Sequence, residues 1–228
     1  MREPWPATPE DLAEAQRRLA ALTPEPWHPP EGRWSAAGCF VCFARGTSGP
    51  GAAGDRGWAA AALVQDDAVI VGPVMRGVAG FPYLPGLLAL REGPLLEAAV
   101  LALPARPDVL LVNATGRDHP RGAGLALHLG ARLDLPSIGV TQRPLLASGP
   151  PPAEHAGATS PLWIGAEIVA YWVRPHRFLR PLVAHAAWRT SADVAAAVLL
   201  ALGRGRRTPE PLRAARQAAR AARAQPAR

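Results

Sequence analysis

The segment from Asp108 to Thr141 constrains the fold of this chain most strongly. A short run of leucine and β-branched residues from Asp108 to Val112 predicts a buried strand, Ala123 to Leu133 has helical spacing, and Ser137 to Thr141 returns as a second strand. Such a strand–helix–strand unit implies parallel strands joined by a right-handed crossover. The polar residues that follow the first strand therefore lie at its carboxyl end, where α/β folds place their sites.

The preceding segments extend this unit into a mixed sheet. Ala37 to Ala44 is apolar throughout, as expected of a central strand buried on both faces. Trp58 to Val64 and Ala68 to Val78 flank the turn Gln65-Asp66-Asp67 and predict an antiparallel hairpin. The predicted fold class is α/β, with a three-stranded antiparallel half followed by parallel strands and flanked by helices. This order of elements is ribonuclease-H-like, and it places Phe40 close to Asn113.

Further elements follow from capping and periodicity. Trp163 to Val173 alternates loosely enough for one or two strands. Cap residues, first-turn acids and prolines mark the helix starts. The predicted helices run from Thr8 to about Leu22, from Leu87 to Leu103 with an interruption near Gly93-Pro94, from Ser191 to Leu202, and from Thr208 to Ala224.

The charge is concentrated in the last 25 residues. All 25 basic residues of the chain are arginines, which excludes Schiff-base chemistry and lysine-dependent phosphate loops. Residues 204–228 hold eight arginines and one glutamate and so carry the whole net charge of +7, whereas 17 arginines balance 17 acids in the body. We therefore predict a domain over residues 1–203, including the N-terminal helix, and an arginine-rich helical appendage over residues 204–228.

The cysteines and the N-terminus indicate the compartment. Cys39 and Cys42 have C-x-x-C spacing, but their apolar neighbours favour buried small hydrophobes over a redox pair or half a zinc site. The chain has no apolar run of membrane-spanning length and no signal-peptide pattern at its N-terminus. We expect a cytoplasmic protein without a membrane partner.

Two motifs carry a family resemblance. The first is Phe81-Pro82-Tyr83-Leu84-Pro85-Gly86 with Leu90-Arg91-Glu92-Gly93-Pro94, and the second is Gly116-x-x-His119-Pro120-Arg121-x-x-Gly124-Leu125-Ala126-x-His128-Leu129-Gly130. Together with Ile138-Gly139-Val140 and the run Pro209-Glu210-Pro211-x-Arg213, they resemble the endonuclease V family over most of the chain. The resemblance implies a ribonuclease-H-like, magnesium-dependent enzyme that nicks strands near deaminated bases such as inosine.

The resemblance also assigns roles by position. Pro82, Tyr83, Leu84 and Pro85 match the strand-separating wedge, where a tyrosine ring fills the gap left by an extruded base. The motif glycine Gly116 belongs to the same nucleic-acid-binding set. The remaining matches are the base-pocket positions Gly86, Leu88 and Leu145, the metal-binding carboxylate Glu92, and the His119 and Arg121 pair beside the scissile phosphate.

Several positions depart from the family pattern. Phe40 and Asn113 replace two aspartates, Gln142 replaces a lysine, Trp188 aligns with a histidine, and Ala114 replaces a glycine of the base pocket. Magnesium prefers several oxygen ligands, including anionic ones, so Glu92 alone predicts an incomplete, weak metal site. Magnesium belongs to the family, but for this chain we expect no cofactor, vestigial roles for Glu92 and His119, and hydrolysis lost or very slow.

Three hypotheses follow. The first is a catalytically inactive member that binds DNA or RNA through the wedge and through Arg213, Arg216 and Arg220. The second is an active endonuclease in which Asp118, Asp55 or His185 replaces the missing ligands, although Asp118 is expected to cap a helix at His119-Pro120. The third is a protein-interaction module in which Phe40 and Trp188 fill the old metal cavity and a protein partner binds elsewhere.

Overall fold

The computed structural model describes residues 3–44, 50–66, 68–203 and 205–225. Asp67 of the predicted hairpin turn and Arg204 and Arg228 of the basic tail lie outside these residues. The first half contains α1 (Pro9–Ala20), β1 (Ala36–Phe43), β2 (Arg56–Gln65), β3 (Ala68–Val71), β4 (Met75–Val78) and α2 (Leu88–Leu101). The second half contains β5 (Val109–Val112), α3 (Leu125–Leu133), β6 (Ser137–Thr141), β7 (Thr159–Ile164), β8 (Glu167–Val173), β9 (Leu182–Ala186), α4 (Ala192–Ala201) and α5 (Glu210–Ala224).

The strands form one mixed sheet between two helical layers. Its order is β3-β2-β1-β5-β6-β9-β8-β7, and β4 also pairs with β2. β1 and β6 are each parallel to β5, whereas β2 and β9 are antiparallel to their neighbours, which confirms the predicted mixed sheet. One core packs β1, β2 and β5 against α1, α2 and α3, and a second packs the opposite face against α4 and α5.

Local signals explain several elements. The Thr8 and Ser191 side chains accept the expected capping hydrogen bonds from the N–H groups of Asp11 and Val194. The predicted hairpin is present, but its second strand is split into β3 and β4 around residues 72–74. β9, a short run of buried residues, was not predicted at all.

The predicted interruption of α2 is wrong. The helix is continuous through Pro94, although an internal proline costs about 3 kcal/mol. Buried Leu90, Leu95 and Leu96 anchor it in the core, and the ring of Trp5 packs so closely on Gly93 that a Cβ there would clash. Tertiary packing therefore overrides the local preference of proline.

The arginine-rich helix α5 is packed on the sheet. Its buried alanines and Leu212 contact β1 and β2 from the second face. Contact is so close at Gly38 that a Cβ on that residue would lie 2.5 Å from the backbone nitrogen of Leu212. The domain boundary at residue 203 stays a prediction. α5, which follows that boundary, packs directly on the sheet of the preceding domain. None of the helices described is long and apolar enough to cross a membrane.

Gly38→Ala tests this contact. We expect a loss of about 1–3 kcal/mol in the free energy of unfolding, because the added methyl group meets backbone atoms that cannot rotate away. Gly72→Ala is the control, since the nearest contact of its Cβ would be a leucine side chain at 3.3 Å, and backbone atoms would lie at 3.5 Å or more. Urea denaturation of both variants checks the expectation, and equal losses would contradict the close packing of α5.

Candidate nucleic-acid interface

The parallel pairing of β1 with β5 creates the centre of the site. Cys39 is opposite Val112 in the register, so the next residues, Phe40 and Asn113, lie side by side at the carboxyl edge of β5. Both line a cleft of about 220 Å³ together with Tyr83, Leu88 and Glu92. The structure thus brings wedge, base-pocket and metal-site candidates to one place.

The Glu92 carboxylate lies half-buried on α2 facing this cleft. Burial raises its pKa from 4.5 to about 7, and the nearby Arg91 guanidinium only partly opposes the shift. Burial likewise raises the pKa of the Cys39 thiol, with a smaller contribution from the negative charge of Glu92. A large fraction of Glu92 is therefore neutral at pH 7.

The residues around this cleft do not fit a magnesium ion. Glu92 is the only carboxylate among its lining residues, Phe40 offers no ligand atom, and Asn113 offers a neutral oxygen. Within the described ranges no group of three or more histidine, cysteine, aspartate or glutamate residues is placed to hold a metal ion.

The substitute ligands considered from the sequence are engaged elsewhere. Asp55 forms a buried ion pair with Arg91, with 2.8 Å between Oδ2 and Nη2. His185 is fully buried, its Nε2 lies 2.7 Å from the Thr141 hydroxyl, and burial lowers its pKa to about 4. Asp118 is buried beside it, so none of the three lines the cleft beside Glu92.

Asp118 does not cap a helix at His119-Pro120, contrary to the expectation from sequence. α3 begins only at Leu125, and the Asp118 carboxylate accepts hydrogen bonds from the backbone N–H groups of Leu145, Leu146 and Ala147 at 2.7–2.9 Å. The carboxylate thereby fixes the loop after β6, on which Leu145 and Leu146 are about half exposed. Leu145 lies on this loop and is not among the residues that line the cleft.

His119 and Arg121 hold the wedge turn in place. Arg121 donates from Nη2 to the Gly86 carbonyl at 2.8 Å and from Nε to Gln16 of α1. His119 is buried, and its Nδ1 accepts the Arg121 N–H, which leaves Nε2 facing Gly86. Burial and the Arg121 charge lower the pKa of His119 to about 4, so it is neutral at pH 7.

The wedge presents apolar groups to solvent. Tyr83 is 42% exposed and Leu84 45%, between Pro82 and the exposed Pro85. Gly86 ends the turn with φ +79°, a conformation that favours glycine, while the Tyr83 N–H donates to the Gly51 carbonyl at 3.0 Å. The turn is thus fixed by its backbone and leaves its side chains available for a ligand.

Gly116 and Ala114 have packing roles in this structure. A Cβ on Gly116 would lie 2.0 Å from the Ala186 carbonyl, so the missing side chain lets the loop after β5 approach β9. Ala114 is a buried residue of the same loop and belongs to the core with α2 and α3.

Trp188 is not part of the cleft, which corrects the expectation that it fills the metal cavity. Its carbonyl accepts the Ser137 N–H at 2.9 Å, at the start of β6, whereas Gln142 follows the end of that strand. β9 runs antiparallel to β6 and carries the chain to the opposite edge of the sheet. Trp188 lies there, packed on the α2–α3 core.

Arg216, rather than Trp188, lies near Phe40 and Asn113. It lines a second, smaller cleft on the α5 side of the same edge, together with Arg207, Phe40, Asn113 and Gln142. Its Nη2 donates to the Thr208 hydroxyl at 3.0 Å. Burial, and then the positive charges of Arg220 and Arg207, lower its pKa.

The four arginines of α5 have different partners. Arg213 forms an ion pair with Glu210, and Arg223 donates to the Phe43 carbonyl at 3.2 Å. The Arg220 guanidinium carbon lies 5.7 Å from the centre of the Phe40 ring. Arg216 and Arg220 thus lie beside the edge that carries Asn113.

Two residues of this edge were not singled out for a site role by the sequence analysis. Arg207 belonged there only to the charge count, yet it reaches the second cleft and donates to the Arg180 and Pro181 carbonyls. Phe178, in the loop between β8 and β9, is 76% exposed. The sequence signal for Phe178 was an aromatic residue between Arg177 and Arg180.

This arrangement, a mixed ribonuclease-H-like sheet with a wedge and an arginine-lined edge, defines a protein of nuclease fold. The sequence model of the family described as Endonuclease V matches residues 49–217. The chain is 38% identical to Endonuclease V of Streptomyces coelicolor over 224 residues, covering 96% of this chain and 92% of that protein. For Endonuclease V of Rhodospirillum centenum, the identity is 40% over 226 residues, covering 94% and 89%. The chain belongs to the endonuclease V family.

Solved structures agree with this assignment. Endonuclease V of Streptomyces avermitilis superimposes with a TM-score of 0.83 at 34% identity, covering 96% of this chain and 94% of that one. The catalytic domain of human Endonuclease V gives 0.82 at 27%, covering 94% and 96%. The Ciona intestinalis enzyme, solved with a DNA that contains inosine, shares the fold with a TM-score of 0.77 at 16% identity, covering 93% and 96%.

Glu92→Gln tests the electrostatics of the cleft. The native state keeps the Glu92 proton up to about pH 7, while the unfolded chain releases it near 4.5, so the native state binds more protons in between. The free energy of unfolding of the wild type therefore falls as pH rises through this window. The variant lacks this loss, so its free energy of unfolding relative to that of the wild type should rise from pH 4 to pH 8, by about 3 kcal/mol for a pKa raised from 4.5 to about 7.

Urea denaturation of both proteins at pH 4 and pH 8 measures this difference. Glu14→Gln, on the exposed face of α1, controls for removing a carboxylate elsewhere. A stability difference between Glu92→Gln and the wild type that stays the same at both pH values would contradict the raised pKa.

Proposed function

We propose that this endonuclease V family member recognises nucleic acid with deaminated or unpaired bases at the carboxyl edge of β5 and does not hydrolyse it. The observation that carries the proposal is the combination in one cleft of an exposed tyrosine wedge with a single carboxylate. The wedge serves to recognise a nucleic-acid strand. One carboxylate is too few to hold the metal ions that hydrolysis by a nuclease requires.

The wedge supports the binding half of the proposal. The Tyr83 ring is accessible, its turn is held by Arg121, and the side chain of Leu88 lies in the cleft behind it. An aromatic ring in this position stacks on a base or fills the gap that an extruded base leaves. The inosine-containing DNA bound by the Ciona protein supports inosine as the first base to test.

The charges near the site support the same ligand. Glu92 loses part of its charge near neutral pH, and Arg207, Arg216 and Arg220 lie at the same edge. A strand carries one negative charge per nucleotide, so an edge with few anions and several cations attracts it. Magnesium is not required for this attraction, and we propose no cofactor.

The missing ligands support the second half of the proposal. Phe40 packs its ring against the alanines of α5, and Asn113 is neutral. Asp55, Asp118 and His185 are bound to other groups in the fold, so a remodelled active site is the weaker hypothesis. A protein-interaction role has no specific observation in its favour.

Tyr83→Ala tests the binding half. In EDTA and low salt, we expect wild-type protein to bind a labelled inosine-containing single strand and the variant to bind it about ten-fold more weakly, because base–aromatic stacking contributes about 1–3 kcal/mol. Fluorescence anisotropy measures both affinities.

Tyr83→Phe is the matched control, since it keeps the ring and removes only the hydroxyl group. We expect its affinity to stay within about two-fold of wild type, because stacking uses the ring face. Wild-type protein that fails to bind inosine-containing DNA and RNA at low salt would refute the proposed function.

A further inference from the structure

Three guanidinium groups converge on the α5 side of the carboxyl edge. Arg207 and Arg216 line the second cleft, and Arg220 lies over the ring of Phe40, which lines the same cleft. Arg207 and Arg220 are also the two cations whose charges act on Arg216. The three side chains therefore form one cluster, which we call the arginine cluster.

The positive charge of this cluster is not neutralised by a carboxylate in the described parts of the chain. Among the described residues, Arg213 forms an ion pair with Glu210, but no ion pair involves Arg207, Arg216 or Arg220. The partners of the cluster are neutral: a threonine hydroxyl, two backbone carbonyls and an aromatic ring. Like charges held together without an anion destabilise the fold, and a bound anion relieves that repulsion.

The surroundings of the cluster select the kind of anion. The cleft holds a free volume of about 40 Å³, which admits a small polar group and is too small for a nucleobase. Asn113 and Gln142 line the same cleft and add side-chain amide donors. Arginine forks match the spacing of phosphate oxygens, and a buried guanidinium keeps its charge.

The arginine cluster lies close to the surface proposed to bind the nucleic-acid strand. Phe40 and Asn113 line both clefts, so the arginine cluster and the Tyr83 wedge lie on opposite sides of the same pair of residues. The resemblance to endonuclease V implies two metal-binding aspartates at those two positions. The cationic charge that a metal ion supplies in the family is here available from side chains.

We propose that Arg207, Arg216 and Arg220, with Asn113 and Gln142, form a metal-independent site for one backbone phosphate of the bound strand. The identification of the phosphate as part of a nucleic acid rests on the proposed function. The arginines neutralise the phosphate directly, and no bond is made or broken. The site anchors the strand while the wedge contacts its bases.

Arg216→Gln and Arg220→Gln test the site, with Arg213→Gln as the matched control on the same helix, because Arg213 is already paired with Glu210. In EDTA, we expect each cluster variant to bind the inosine-containing strand about ten-fold more weakly than wild type. The slope of log affinity against log salt concentration should decrease by about 0.7, the value for one lost phosphate contact on a single strand. Equal affinities and slopes in Arg216→Gln and Arg213→Gln would overturn the site.

Magnesium gives an independent readout. A phosphate held by arginines is bound more weakly when Mg²⁺ is added, because the ion competes for the phosphate. We expect affinity to fall from EDTA to millimolar Mg²⁺. An affinity that rises with Mg²⁺ in wild type and in Arg216→Gln alike would contradict a metal-independent site.

Inorganic phosphate separates this inference from the proposed function. We expect phosphate to raise the melting temperature of wild type and Arg213→Gln relative to chloride at equal ionic strength, and to raise that of Arg216→Gln much less. Arg216→Lys, which keeps a charge without the fork, should lie between. If no strand binds but this pattern holds, the proposed function fails and the anion site stands, whereas identical shifts in all variants overturn the site even if strands bind.

Discussion

The parallel pairing of β1 with β5 is the constraint on which the rest of this site depends. Its register fixes Phe40 next to Asn113. α2 then carries Glu92 to the edge on one side of the sheet, and α5 carries Arg216 to it on the other. Because α5 is seated on β1 through Gly38, the arginines cannot move far from this edge without disturbing the sheet.

An aromatic ring at position 40 changes the electrostatics of that geometry. Two carboxylates and a metal ion neutralise each other's charge, and a site without those carboxylates binds the ion weakly. The remaining carboxylate, Glu92, lies half-buried with its pKa raised to about 7, while the arginines on the other side keep their charge. We propose that the edge is positive through its own side chains rather than through a bound metal ion, and that this charge complements a phosphate backbone.

Much of the fold could be predicted from local signals. Strand and helix periodicity located β1, β5, α3 and β6, and the proximity of Phe40 and Asn113 followed from the predicted order of strands. Short polar side chains at helix starts identified the Thr8 and Ser191 caps because capping depends on neighbouring residues only. The wedge residues and Leu88 were assigned by resemblance, and Tyr83 and Leu88 lie together in the cleft with Glu92.

The remaining features depend on tertiary contacts that a sequence does not display. Trp188 was misplaced because the unpredicted strand β9 reverses the direction of the chain, and Arg216 was not distinguished from Arg213 and Arg220. The carboxylate of Asp118 accepts hydrogen bonds from a loop that is 27 or more residues away in sequence, and helix-capping signals depend only on neighbouring residues. Pro94 stays helical because burial on both sides of it outweighs its local cost.

The most direct test of this account is a single-turnover assay for strand cleavage. Wild-type protein, in excess over a labelled inosine-containing strand, is incubated with Mg²⁺ or Mn²⁺, and the products are resolved beside those of Glu92→Gln. The account predicts a bound strand that remains intact, with no product above the level of the variant. Metal-dependent nicking by the wild type that disappears in Glu92→Gln would contradict it.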